Sequence, residues 1–223
     1  MIEIWGRRNS SNVIPVLWAL AETGAAFRRH DVGGSFGGLE SPEYRAINPN
    51  GLVPSLVDGD VAMWESNAII RYVAAKYGSG GLWDDDPARR SLADRWLDWA
   101  KTTANPPAMG LFWATVRTEP AARDGAAIAK LTEATAKVCQ FLDAHLAGQP
   151  YLAGDHLTMG DLPLGALAHR YFQMDVERPD LPHVRAWYER LCARPAYAAH
   201  CMLDFGANPG EWLALERAGA NPS

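Results

Sequence analysis

The chain has 223 residues, 48% of them hydrophobic and 21% charged, a balance that supports a buried core and excludes disorder. A formal net charge of −5 and a pI near 5.7 provide no basic field for nucleic acid or an anionic membrane surface. No positive region precedes an apolar run at Met1-Ile2-Glu3-Ile4-Trp5, and no stretch approaches the ~20 apolar residues that span a bilayer. Cys139, Cys192 and Cys201 lack C-x-x-C spacing, which argues against a disulfide framework or a zinc site, so a reducing compartment, the cytoplasm, is expected.

Ile2, Ile4 and Trp5 predict a first strand that stops at Gly6. The polar run Arg7 to Asn12 supplies turn and helix-capping residues. Val13, Val16, Leu17 and Leu20 then recur at helical spacing, with Gly24 placed to end the helix. Pro15 belongs in a first turn, so that helix starts between Ser11 and Ile14. A second strand is expected over 26–32. A Gly-rich loop at 33–38 and a short helix near 42–46 follow.

The next stretch is the most informative. Asn48-Pro49-Asn50-Gly51 reads as a turn, and Pro54 as the opening of a strand, because proline cannot donate within a ladder. Asp58-Gly59 between Leu56-Val57 and Val61 is a hairpin signal. Ser66 is expected to cap a helix built on Ile69, Ile70, Val73 and Ala74, which ends at Gly78. The order is β-α-β, then β-β-α, a small sheet covered by helices. Residues 78–87 have linker composition, and everything beyond reads as helix. One long helix or a kinked pair covers 88–117, broken at Asn105-Pro106-Pro107. Further helices are expected over 121–147, from the Thr158-Met159-Gly160-Asp161 cap onward, and over 181–192. The expected division is an α/β domain at 1–77, a linker at 78–87 and an all-α domain at 88–223.

Four features in this order resemble the cytosolic glutathione S-transferases, of a bacterial, theta-like or related Ser/Asn type. They are Ser10-Ser11-Asn12 leading into the first helix, Asn48-Pro49 with Val53-Pro54, Glu65-Ser66-Asn67-Ala68-Ile69, and the Thr158–Asp161 cap. The resemblance spans nearly the whole chain. It implies a thioredoxin-like first domain, an all-helical second domain, a homodimer and a role in detoxification. Glutathione would be the cosubstrate, with no prosthetic group and no metal. The tripeptide carries two carboxylates, one ammonium and a thiol, and only the thiolate is a good nucleophile, whereas the free thiol ionises near a pKa of roughly 8.5.

A helix N-terminus supplies positive potential, and a hydroxyl or amide beside it donates to sulfur. Ser10, Ser11 and Asn12 sit at such a terminus, and the sequence leaves open which of them donates. The absence of Tyr or Cys at this position sets aside the Tyr-type and Cys-type classes. The resemblance also implies a cis Val53-Pro54 peptide, with Val53 pairing to the cysteinyl main chain. Glu65 takes the ammonium and Ser66 the γ-glutamyl carboxylate. Leu52 stands where relatives carry a basic or amide residue, which leaves Asn50, Arg7 or Arg8 for the glycyl carboxylate.

An apolar electrophile pocket is expected around Pro106, Met109, Phe112 and Trp113, with the tail from Phe205 to Trp212 folding over it. The small-molecule partners are thus glutathione and a hydrophobic electrophile. Two other functions share these features: glutathione-dependent peroxide or disulfide reduction at the same site, and noncatalytic ligand binding or regulation on the same fold.

Overall fold

The structure, a computed structural model, describes residues 1–221. Its sheet has the strand order β2-β1-β3-β4, built from β1 (Ile2–Trp5), β2 (Phe27–His30), β3 (Ser55–Asp58) and β4 (Val61–Trp64). β1 runs parallel to β2, with Ile4 opposite Arg29, and antiparallel to β3, with Ile4 opposite Leu56. The β3–β4 hairpin turns through Gly59, whose φ of 61° is the left-handed value glycine adopts freely.

Helix α1 (Ile14–Thr23) is buried without interruption from Ile14 to Leu20. It packs on α3 (Ser66–Tyr77) and also on α7 (Asp161–Gln173) and α9 (Pro195–His200). That is why its apolar residues do not stop at one face. Gly165 of α7 admits the Trp18 ring, since a Cβ there would come within 2.7 Å of it. The short α2 (Pro42–Ile47) carries the buried Tyr44, whose hydroxyl donates to the Leu52 carbonyl at 2.5 Å and so fixes the approach to β3. This is a thioredoxin-like domain, and a helical domain follows it.

The helical part comprises α4 (Pro87–Trp99), α5 (Asn105–Thr115), α6 (Gly125–Leu146), α7, α8 (Pro182–Cys192), α9 and α10 (Pro209–Ala218). The expected break at the prolines has a specific form. α4 and α5 are continuous through a π-helical turn, Ala100–Ala104, in which the Asn105 N–H reaches back to Ala100. Pro106 and Pro107 cannot donate, so the turn ahead of them widens where the α ladder has lost its donors. α6 starts at Gly125 because Asp124 caps it, accepting from the amides of Ala126 and Ala127 at 2.9 and 3.1 Å.

Asp161 is fully buried. Its carboxylate accepts from the Thr158 and Leu152 amides, the Thr158 hydroxyl and the Trp187 indole, all within 3.2 Å. These bonds tie the start of α7 to α8 and to the segment before it, a structural role. Helices α9 and α10 were not legible as elements in the sequence. Each is short and starts on a proline, and α10 returns to lie against the first domain.

Candidate active site

One open cavity of about 270 Å³ lies between the first domain and the helices. Its floor is the start of α1. The expected Ser or Asn cap is absent there: Val13 occupies the capping position, and Ser10 to Val13 form a turn that feeds the helix. The Ser10 carbonyl accepts from the Val13 and Ile14 amides, while its hydroxyl oxygen is 3.4 Å from the Asn12 amide. Freed from capping, the side chains of Ser10, Ser11 and Asn12 all face the cavity.

Asn12 has a fixed orientation. The Lys101 ammonium, on the π-helical turn, lies 2.7 Å from its Oδ1. An ammonium only donates, so it holds the amide oxygen and leaves the Asn12 NH2 to donate elsewhere. Burial pushes the Lys101 pKa down, and the Glu65 carboxylate pulls it back up.

The wall contributed by the first domain is largely main chain. The Val53–Pro54 peptide is cis, and no hydrogen bond among the described residues uses the N–H or C=O of Val53. Glu65 occupies the capping position of α3, with φ 71°, and it is the one positive-φ residue other than glycine among those described. Ser66 is therefore the first helical residue rather than the cap; its N–H is one of the first-turn donors without an intrahelical partner. Side chains held in such sparsely populated backbone regions concentrate at functional sites. Asn50, Leu52, Pro54 and Trp64 complete this wall, with Leu52 62% exposed.

Of the basic groups proposed for the Leu52 end, Arg8 is turned away and donates to the Ala199 carbonyl at 2.9 Å. Arg7 stays at the cavity, beside Leu39 and Val53: a Cβ on Gly33 would touch all three within 3.5 Å. Its Nε faces Glu216 of α10 at 2.9 Å, a pairing of charges without the alignment of a hydrogen bond.

The opposite wall is aromatic and cationic. Met109, Phe112 and Trp113 of α5 line it, whereas Pro106 is exposed and lies outside the cavity. Trp212 of α10 packs edge-on against Phe112, with ring centroids 5.3 Å apart. The tail thus lies at the cavity, as the sequence leads one to expect of the stretch from Phe205 to Trp212.

Arg170 of α7 lies beneath the Phe112 ring at 4.5 Å and donates to the Asn9 carbonyl at 2.5 Å. Burial, with Arg7 and Arg117 nearby, pulls its pKa down to about 9, which leaves it protonated at neutral pH. Arg117 stacks between Trp113 and Trp212, at 4.4 and 4.7 Å. Lys101, Arg117 and Arg170 were not picked out in the sequence, because they lie on the π-helical turn, in the bend after α5 and on α7, and no spacing links them.

Fold and cavity define a class: a thioredoxin-like domain whose first helix points its N-terminus into a cleft walled by a helical domain. Residues 1–75 match the family described as "Glutathione S-transferase, N-terminal domain", and residues 104–195 match its C-terminal counterpart. Among curated proteins, the chain is 41% identical over 202 residues to "Glutathione S-transferase GstB" of Escherichia coli (strain K12), covering 88% of this chain and 95% of that one. It is 39% identical over 204 residues to "Glutathione S-transferase 3" of Zea mays, covering 88% and 91%. Among solved structures, the theta class glutathione S-transferase from Xanthomonas axonopodis pv. citri with glutathione bound superposes with a TM-score of 0.88. That pair shares 50% identity over 92% of this chain and 99% of the other. The chain belongs to the glutathione S-transferase family.

Proposed function

We propose that this chain binds glutathione against Val53, Glu65 and Ser66, ionises its thiol at the start of α1, and directs the thiolate at an electrophile held by α5 and α10. The observation that carries the reading is convergence. Four groups distant in the chain (an unpaired backbone pair, a strained carboxylate, a donor trio at a helix start and an aromatic wall) face one cavity.

Each group has a chemical task. The Val53 N–H and C=O pair with the cysteinyl main chain as a strand would. Glu65 meets the ammonium, and the free N–H and hydroxyl of Ser66 meet the γ-glutamyl carboxylate. Asn50 and Arg7 serve the glycyl carboxylate at the Leu52 end. That geometry carries the cysteinyl sulfur towards Ser10 and Asn12. The Asn12 NH2, held by Lys101, and the Ser10 hydroxyl are the donors. Lys101, Arg170 and the α1 N-terminus provide the positive potential that favours thiolate over thiol. Catalysis then consists of ionisation and positioning.

The domain division proposed for this reading is 1–77 for glutathione, 78–87 as connection and 88–223 for the electrophile, with two chains forming a homodimer. No helix among the described residues is long and apolar enough to cross a membrane.

The test measures conjugation of glutathione to 1-chloro-2,4-dinitrobenzene beside reduction of cumene hydroperoxide. Conjugation above the uncatalysed rate, lost together with binding in Glu65→Ala, supports the transferase reading. Peroxide reduction without conjugation assigns the site to reduction instead. Failure of glutathione to raise the melting temperature at millimolar concentration overturns both readings and leaves a binding protein on this fold.

A further inference from the structure

Although the chain carries a net charge of −5, its active cavity is lined by four cationic side chains, Arg7, Lys101, Arg117 and Arg170, against one carboxylate, Glu65. Three of the cations have assigned work. Arg7 faces Glu216. Lys101 holds Asn12, and Arg170 holds the Asn9 carbonyl. Arg117 has none: its guanidinium makes no hydrogen bond or ion pair among the described residues, and its neighbours are the faces of Trp113 and Trp212. Burial pushes its pKa down, Arg7 adds to that, and the already engaged Glu216 offsets it.

A half-buried guanidinium held between two indoles is positioned with its donors unspent. Its place matters as much as its charge. Arg117 lies just past the C-terminal end of α5, beyond Phe112 and Trp113, and lines the same cavity as Val53, Glu65 and Ser66. Glutathione bound along that first wall spends its carboxylates there, so the free guanidinium belongs to the other reactant.

We propose that the electrophile of this enzyme is an anion, a flat carboxylate-bearing aromatic whose ring lies on Trp113 and Trp212 and whose carboxylate pairs with Arg117. This rests on the transferase reading and names its substrate class. It also revises the apolar pocket expected from the sequence, because an uncharged electrophile would cover the half-buried Arg117 without giving its charge a partner. With a chloronitrobenzoate, the thiolate sulfur bonds to the carbon bearing chlorine, the C–Cl bond breaks, and chloride leaves with the electron pair. The thiol proton has already passed to solvent. The carboxylate takes no part in the bond changes and serves to orient the ring.

The test compares 4-chloro-3-nitrobenzoate with its uncharged amide, each kcat/KM divided by the uncatalysed rate of the same arene with glutathione. A desolvated charge-assisted contact favours the benzoate by about tenfold or more. In Arg117→Gln that ratio is expected to fall at least about fivefold, and Arg117→Lys is expected to restore part of it, since the charge survives without the fork. Equal acceleration of both arenes by the wild type overturns the inference while leaving the transferase reading intact. So does an Arg117→Gln variant that slows both arenes by the same factor, which would assign Arg117 to the thiolate or to the developing ring charge. No turnover of either arene overturns the transferase reading and this inference with it.

Discussion

Helices α7 and α3 both begin at a carboxylate, and the two carboxylates have opposite surroundings. Asp161 is completely buried, sits in ordinary helical backbone, and has each oxygen committed to protein donors from Thr158, Leu152 and Trp187. Burial pushes its pKa up against the pull of those donors. Glu65 is exposed and has a φ of 71°; its main-chain carbonyl accepts from the Ile69 amide at 2.9 Å, but its carboxylate accepts no hydrogen bond among the described residues. A left-handed φ costs an L-residue on the order of 1–2 kcal/mol, and the carboxylate makes no hydrogen bond among the described residues that would offset it. An acid surrounded by protein donors is a strut. An acid strained into position with open oxygens is a ligand group. The difference separates the fold-forming helix start from the functional one, although both read as capping motifs.

The largest effect should come from removing the strut. Asp161→Ala leaves four buried donors without their acceptor and should lower unfolding stability by about 3–5 kcal/mol, read by urea denaturation. A loss under about 1 kcal/mol would break the distinction, since Asp161 would then be as dispensable to the fold as Glu65. The start of α1 sharpens the contrast from the other side. Ser10→Ala and Asn12→Ala should lower kcat by about tenfold to a hundredfold, with unfolding midpoints unmoved, because neither side chain caps the helix. A shifted midpoint with normal kcat would return the trio to a capping role.

Glu65→Gly is the sharper substitution at α3. Glycine adopts the observed φ without strain, so stability should hold or rise by up to about 1 kcal/mol. Loss of the carboxylate should weaken glutathione binding about tenfold in calorimetric titration. Destabilisation without loss of binding would make Glu65 a second strut.

The smallest effect concerns a third carboxylate, Asp58, at the end of β3. Burial pushes its pKa up, but bonds from Lys76, Tyr77 and Tyr72 bring it down to about 2. A folded pKa below the unfolded value near 3.9 means a contribution fully present above about pH 4 and lost as pH falls through about 2. Asp58→Asn should therefore flatten the acid limb of the stability profile in that window. An unchanged limb would show that the turn is held without this cluster.

Legibility in the sequence followed the same division. Features made by backbone chemistry were readable: Gly24 ending α1, Gly59 in the hairpin, the proline before β3 and the acid at the start of α7 each depend on a residue type at one position. The first wall is of this kind too, although local pattern gives only a strand-opening proline and a capping pair there, and the family resemblance is what implies the roles of Val53, Glu65 and Ser66. The second wall consists of side chains converging from the π-helical turn, α5 and the bend after it, α7 and α10. Its apolar residues Met109, Phe112, Trp113 and Trp212 are expected from the sequence, whereas Lys101, Arg117 and Arg170 share no spacing, and only tertiary packing brings them together. The capping of α1 and α3 was misplaced by one to three residues because Ser and Asn, good caps by propensity, were left with their side chains facing the cavity. Pro106 was drawn into the expected pocket by the break it helps to make, yet the widened turn carries it to the surface.

The account depends on the start of α1 ionising glutathione. Ultraviolet difference absorbance of the thiolate, followed as the pH of the glutathione complex is raised, measures that directly. The bound thiol should ionise at least about one unit below the free value near 8.5, and Asn12→Ala should move it back towards that value. A bound thiol that ionises at or above the free value would contradict the account, whatever the rate of conjugation.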